Sequence, residues 1–434
     1  MEKAAARLEK FFFLFLFINP FLDIIGGAYL NLAESFGLPT ITPSLIVRML
    51  VLLLFAAYVL IKRNWRAVVI MVPLVVAWAL SLAGELMYYY SIDLSADVQY
   101  IVRFAFNIAV ILVYATVFKN SALNRKSLLA YINRAFVFSA ALLSATIVLP
   151  YLLGLGFSTY GDRFGYRGSR GFFFSGNDIT AVLLLLLPIA FYVFFTLGRG
   201  KLKLGTVLWH AASPALTITA LAIIGTKTAF FAIAGSCAVM LGYGIYTHVK
   251  KKDRTYLTRF GIVILAFAMI FGLLMLVTQA KLASDIRASL LQPGVIAEES
   301  GLSGAILSGR GEKLNRALGS LRRTTPYSVL FGTGRGTQVN VIEMDIFEVV
   351  IYYGVFGAIV MLWLYLKLGV GFLKKAFKKF DLMGLALLAS LGMCVGYLVM
   401  AGHILFSVTS GFYFSLLLVY AHLYYAPTPK KLKI

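Results

Sequence analysis

The sequence is short of almost everything from which a water-soluble enzyme is built. Only 13% of its 434 residues are charged, histidine occurs four times, and the two cysteines, Cys237 and Cys394, each lie inside an apolar block. Two such isolated thiols give neither a disulfide framework nor a metal cluster, so redox chemistry is unsupported. Acids are scarce as well, 18 against 40 Lys and Arg, for a formal charge of +22. With 60% of the chain hydrophobic, this balance excludes a soluble globular enzyme and a disordered basic tail protein alike.

The apolar residues gather in blocks of about twenty, the length that crosses about 30 Å of hydrocarbon. Such blocks predict an all-α polytopic membrane protein, because a helix satisfies its own backbone hydrogen bonds in lipid. Twelve transmembrane helices are expected, near 11–30, 43–61, 67–83, 99–118, 135–153, 178–197, 205–224, 228–247, 260–278, 346–369, 382–401 and 405–425. The first follows Lys3, Arg7 and Lys10 but has no small-residue cleavage site and runs through Asn19, Pro20 and Asp23, so it reads as a span and not as a signal peptide. With both termini cytoplasmic, the inner connections hold Lys62, Arg63, Lys119, Lys126, Lys250, Lys251, Lys374, Lys375 and their neighbours, and the whole excess of +22 lies on the inner side. Membrane insertion accounts for that bias. No nucleic-acid partner is needed to explain it.

The chain is thus expected to be one integral membrane domain, 1–434, with a small outer loop at 154–177 and a large one at 279–345, between helices nine and ten. Long loops with structure of their own tend to carry function. In the large loop Leu314, Ala317, Leu318 and Leu321 recur at helical spacing among Lys313, Arg316, Arg322 and Arg323. This predicts an amphipathic helix, either lying among lipid headgroups or serving as a packing lid with a solvated basic face.

The outer basic residues are clustered. GDRFGYRGSRG (161–171) sets Arg163, Arg167 and Arg170 among glycines, GTKT (225–228) holds Lys227 in a tight turn, SGRGE (308–312) holds Arg310, and GTGRG (332–336) holds Arg335. Glycine lets backbone approach a ligand, and guanidinium offers a planar fork to phosphate oxygens, so together these resemble a diphosphate clamp. Neither Gly-rich stretch has the P-loop lysine spacing, and each arginine alone also fits interfacial anchoring or a loop salt bridge. Lys227 is confined by the short turn between two spans, where a charge is expensive unless paired, functional or snorkelling. Arg48 and Arg103 sit at outer span ends, and Asp97 is expected to pair with Arg103.

VIEMDIFEVVIYYG (341–354) brings Glu343, Asp345 and Glu348 into span ten. Asp345 and Glu348 have the spacing of a capping box, which leaves Glu343 as the first candidate for a general base, partly desolvated. A divalent cation on Glu343 and Asp345 is the minority alternative. His403, at the end of span eleven, is another candidate base, or a residue that hydrogen-bonds a neighbouring helix.

These patches resemble the O-antigen ligase and O-antigen polymerase superfamily over about half of the chain, 160–360. RGSRGFFFSGND is similar to the family's R-x-x-G-x-F-x-x-x-N, ending at Asn177; GTKTAF to its S-R-x-x turn; LSGR with the following amphipathic helix to its loop arginine; and FGTGRG…EMDIFEVVIYYGVFG to its G-x-G, H-N-x-x-L and G-x-x-G, with Gly354 and Gly357 in place. Glu343 stands where the ligases have a histidine and Lys227 where they have an arginine, which favours the polymerase branch. The resemblance implies a C-type glycosyltransferase of the bacterial cytoplasmic (inner) membrane that joins undecaprenyl-diphosphate-linked polysaccharide repeat units on the outer face, by inverting transfer and without metal or other cofactor. It implies catalytic Glu343, Lys227 and Arg310, with Arg163, Arg167, Arg170, Asn177, Arg335, Asp345 and His403 around the substrate. Implied partners are the lipid-linked oligosaccharide, membrane lipid and a chain-length regulator. The alternatives are a ligase that transfers glycan to a lipid A core or a protein and, from another class, a twelve-span transporter or flippase. Transport fits less well, because the span centres are almost free of acids and bases and the two halves look unrelated.

Overall fold

The computed structural model describes residues 2–37, 41–160, 167–198, 203–279, 281–291, 307, 310–321, 325–336, 342–402 and 404–426. These residues form helices joined by turns, and the only β-type pairing among them is an isolated bridge between Tyr160 and Arg167. The long helices are α1 (Glu2–Phe36), α2 (Pro43–Ile61), α3 (Trp65–Tyr89), α4 (Leu94–Asn120), α5 (Arg125–Leu152), α6 (Gly176–Phe195), α7 (Leu204–Ile224), α8 (Lys227–Lys251) and α9 (Thr255–Val277). Three short helices follow, α10 (281–291), α11 (Arg310–Leu321) and α12 (Pro326–Phe331), and then α13 (Asp345–Lys378), α14 (Leu382–Met400) and α15 (Ser410–Tyr424). Among the described residues eleven helices are long and apolar enough to cross a membrane. The fold is that of an all-α polytopic membrane protein.

Local chemistry sets several helix starts. Thr42, Asn124, Ser175, Thr226 and Asp381 each accept an N–H of the following first turn, at 3.0, 2.9, 3.2, 3.2 and 2.8 Å, and so satisfy donors that have no partner inside the helix. Inside α13, Gly354 has φ 66° and ψ −173°, a left-handed extended conformation that a residue with a Cβ rarely adopts, and it kinks the helix. Its backbone there lies against Leu330 and Gly332 of the α12 segment, where a Cβ would sit 2.5 Å from both.

α6 is enclosed by α5, α7, α8, α14 and α15, whereas α9 is almost wholly peripheral. Between α1, α2, α4 and α15, Phe12, Phe55, Tyr58, Phe106, Tyr114 and Phe412 form a buried aromatic cluster with ring centroids 5.0–6.5 Å apart. The outer faces of the peripheral helices are apolar, with Leu53, Val69, Phe231 and Leu276 exposed, as hydrocarbon surroundings require.

The bundle has two chemically distinct ends. One carries the short basic connections, where Glu9 takes Lys62 at 2.9 Å and Tyr58 at 2.8 Å, and Arg259 donates to the carbonyls of Phe194, Phe195 and Gly198 that end α6. The other carries the described parts of the longer connections, among them 167–175, 325–336 and 404–409.

Two sequence expectations change. The twelfth helix begins at Ser410 and not near 405, and its 15 residues reach only about 22 Å. Residues 404 and 405 do not extend it: the Leu405 carbonyl, which an extended helix would need as an acceptor, takes the Asn107 amide at 3.0 Å, and the Asp345 carboxylate holds the 404 and 405 N–H groups at 2.7 and 2.8 Å. Asp97 does not pair with Arg103. Six residues along a helix put the two about 240° apart around its axis, and both Asp97 oxygens instead accept backbone N–H groups, from Arg335 and Gly336, each at 2.9 Å.

Candidate functional site

The turn between α7 and α8 is the floor of the site. α7 ends on Gly225, Thr226 caps α8, and Lys227 is the first residue of α8. The segment 167–175 docks onto this turn, with the Ser169 N–H donating to the Ile223 carbonyl at 3.0 Å. This brings in Arg167, whose guanidinium lies over the Tyr160 ring at 5.5 Å, a cation–π contact that fixes its direction. Asn177, in the first turn of α6, accepts the Tyr397 hydroxyl on its backbone carbonyl at 2.9 Å, which ties α6 to α14 beside the turn.

α11 forms the other wall. It begins at Arg310, and Leu314 and Ala317 turn their apolar side toward the core while Leu318 remains exposed. Arg310 and Lys313, three residues apart, share a helix face. Both reach one carboxylate: Arg310 Nε is 3.3 Å from Glu343 Oε2, and Lys313 Nζ is 2.7 Å from Oε1. The Arg310 side chain is 13% exposed and that of Glu343 30%, so the pair sits at a rim and not in the core. Arg310 also lies close enough to Lys227 for the two cations to repel, and its field reaches Tyr160. Burial raises the Tyr160 phenol above its ordinary value although Arg167 and Arg310 oppose this, so the ring stays neutral around pH 7.

Arg310 thus contacts Glu343, which also takes Lys313, and its charge reaches Lys227, while Arg167 is linked to Arg310 through Tyr160. The sequence reading missed Lys313 as a site residue, although its spacing from Arg310 was a usable signal. Glu343 was expected to lack a structural duty, yet it is the shared partner of two cations.

The acids after Glu343 have other duties. Asp345 and Glu348 do not make the expected capping box. Asp345, 1% exposed, binds the 404–405 backbone, and Glu348 Oε1 accepts the N–H of Glu343 at 2.9 Å while its Oε2 accepts the Tyr100 hydroxyl at 3.0 Å. The Glu343 carboxylate thus contacts Arg310 and Lys313, and that of Asp345 the 404–405 backbone. No group of three or more His, Cys, Asp or Glu suited to a metal occurs among the described residues.

Two of the predicted arginines have their own partners. Arg170 donates to Asn31 Oδ1 of α1 at 3.1 Å and lies 5.8 Å from the Phe174 ring; burial lowers its affinity for a proton, with Glu34 opposing. Arg335 lies over the rings of Tyr100 at 4.9 Å and Tyr352 at 5.8 Å. Burial works against its charge, but Tyr100, Tyr352 and Glu348 outweigh it and hold its proton more firmly than usual. Arg163 and His403 lie outside the described residues.

Membrane-length helices enclosing a packed core, with a cation-rich, half-exposed cluster at one end, define a polytopic membrane protein with a basic rim. The family model described as O-antigen ligase like membrane protein matches residues 5–291, well over half of the chain, and the protein belongs to that family. It is thereby a ligase/polymerase-type membrane enzyme with glycosyltransferase-like activity, whose substrates are in general lipid-linked oligosaccharide and membrane lipid. The matched region contains Arg167 and Lys227 and ends before Arg310 and Glu343. No curated protein and no solved structure matches the chain.

Proposed function

We propose that the protein is a polymerase that joins undecaprenyl-diphosphate-linked repeat units by inverting glycosyl transfer, at the non-cytoplasmic face of the bacterial inner membrane, with both termini in the cytoplasm. The observation that carries this reading is the ion cluster in which Arg310 and Lys313 both contact the single carboxylate of Glu343, with Lys227 within electrostatic reach of Arg310. Three cations beside one anion leave positive charge for a diphosphate.

The donor diphosphate competes with Glu343 for Arg310 and Lys313 and, once seated, frees that carboxylate. An acceptor hydroxyl then attacks the anomeric carbon of the donor sugar. The new C–O bond forms as the bond from the anomeric carbon to the diphosphate oxygen breaks, and that oxygen leaves with the electron pair. Glu343 takes the hydroxyl proton, which passes to solvent or to the departing diphosphate. Lys227 and Arg310 stabilise the growing charge on the leaving oxygen, an interaction worth about 3 kcal/mol where water is excluded. Help from a positioned base is typically about a hundred- to ten-thousand-fold. Inversion follows from a single displacement, and no nucleophilic carboxylate is required.

Because the family's description is that of a ligase, transfer of glycan to a lipid A core or a protein acceptor is the second reading. The acceptor separates the two. Purified protein supplied with lipid-linked repeat units alone is expected to make longer chains, and Glu343→Gln is expected to slow this by about a hundred- to ten-thousand-fold. Product formed only when a core or protein acceptor is added would install the ligase reading. Activity lost to EDTA and restored by manganese would replace metal-independent transfer with metal-assisted transfer.

A further inference from the structure

We propose that Glu348 is a positioning residue: through the backbone of Glu343 it aims the carboxylate of Glu343 at Arg310 and Lys313. This rests on the reading of Glu343 as the base. Glu343 has φ 60°, left-handed backbone that is costly for a residue with a long side chain. Such a conformation persists only where the surroundings over-determine it, and three contacts do so here. Glu348 Oε1 takes the Glu343 N–H at 2.9 Å. Gly402, itself at φ +65°, brings its backbone so close that a Cβ there would lie 2.7 Å from the Glu343 carbonyl. Asp345 pins the chain just after Gly402 by accepting from Ile404 and Leu405.

The plainest alternative is that Glu348 only caps α13, since a carboxylate in a first turn commonly reaches back to a free N–H. Capping needs one acceptor oxygen and nothing beyond the helix. Glu348 is 2% exposed, and its second oxygen accepts from Tyr100 of α4, whose ring faces Arg335. Arg335 is in turn set by Asp97, which binds its backbone N–H. A buried carboxylate is expensive without such partners. The sequence Arg335, Tyr100, Glu348, Glu343 thus joins two elements to the N–H of the one residue in the site with strained backbone. It also gives Arg335 a role, as the cation behind Glu348 and not as a phosphate ligand.

The test uses full-length protein in detergent or nanodiscs, assayed for glycan transfer with melting temperature recorded for each variant. Glu348→Gln keeps an oxygen for the Glu343 N–H and is expected to retain turnover within about fivefold, while Glu348→Leu is expected to lose about 30-fold in kcat with donor KM within about threefold. In the double variant Glu343→Gln/Glu348→Leu, turnover is expected to match Glu343→Gln alone, because residues acting as one unit are not additive. Should Glu348→Leu fail to fold, Tyr100→Phe removes only the hydroxyl that holds Glu348 and is expected to cost about threefold in kcat. Near-normal kcat in Glu348→Leu, or fully additive losses in the double variant, would overturn the inference. If Glu343→Gln itself turns over normally, the base assignment fails instead, whatever Glu348 does.

Discussion

Two acid–cation clusters lie toward the loop end of the bundle, and they differ in balance. In the first, Arg48 of α2 pairs with Asp23 of α1; Asn19 accepts from the same guanidinium at 3.1 Å, and Thr409 donates to Asp23 at 2.7 Å. The Arg48 side chain is 4% exposed and that of Asp23 fully buried. One charge of each sign with neutral helpers, closed to solvent, makes a strut between helices. In the second, Glu343 takes two cations with Lys227 close behind, and its side chain is 30% exposed. Charge left over at an accessible rim calls for an anionic ligand, and charge cancelled in the dark does not. The ratio of charges, more than their burial, separates an element of structure from a site.

Breaking each cluster should therefore damage different quantities. The largest effect is expected from Arg310→Ala, with turnover down about 10²- to 10³-fold and little change in melting temperature. Next comes Arg48→Met, which strands a buried Asp23 and is expected to destabilise the fold by about 3–5 kcal/mol in denaturation. Replacing both members, Asp23→Leu with Arg48→Leu, should restore most of that stability, since a well-packed apolar pair substitutes for a buried ion pair. The matching double change at Glu343 and Arg310 should restore no turnover. The smallest effect is expected from Lys313→Ala, about 1 kcal/mol or less in stability, because a part-exposed pair is well solvated. A Lys313→Ala protein as unstable as Arg48→Met would erase the distinction between the clusters.

Most of the fold was legible in the sequence, for a physical reason. Lipid demands uninterrupted apolar helix, so hydropathy finds the spans, and Thr42-Pro43, Asn124, Ser175 and Asp381 mark helix starts by chemistry local to a few residues. What could not be read were hydrogen bonds across long separations. Asp345 holds the 404–405 backbone from 59 residues away, and Asp97 receives Arg335 from 238. Composition and spacing carry no trace of either. Lys227, Arg310 and Glu343 stood out in the sequence because each is an unusual charge beside glycine or a span end, and of these Arg310 and Glu343 are in contact. Arg170 and Arg335 looked the same by that criterion, and only their partners, Asn31 in one case and Tyr100 with Tyr352 in the other, set them apart.

The most direct test of the central claim is equilibrium binding of a polyprenyl diphosphate and the matching monophosphate to purified protein, beside the Lys227→Ala/Arg310→Ala variant. The account predicts that the diphosphate binds wild type at least about tenfold more tightly than the monophosphate, a difference of about 1.4 kcal/mol, and that the preference vanishes in the variant. Equal affinity for the two lipids in wild type, or a preference that survives loss of both cations, would contradict it.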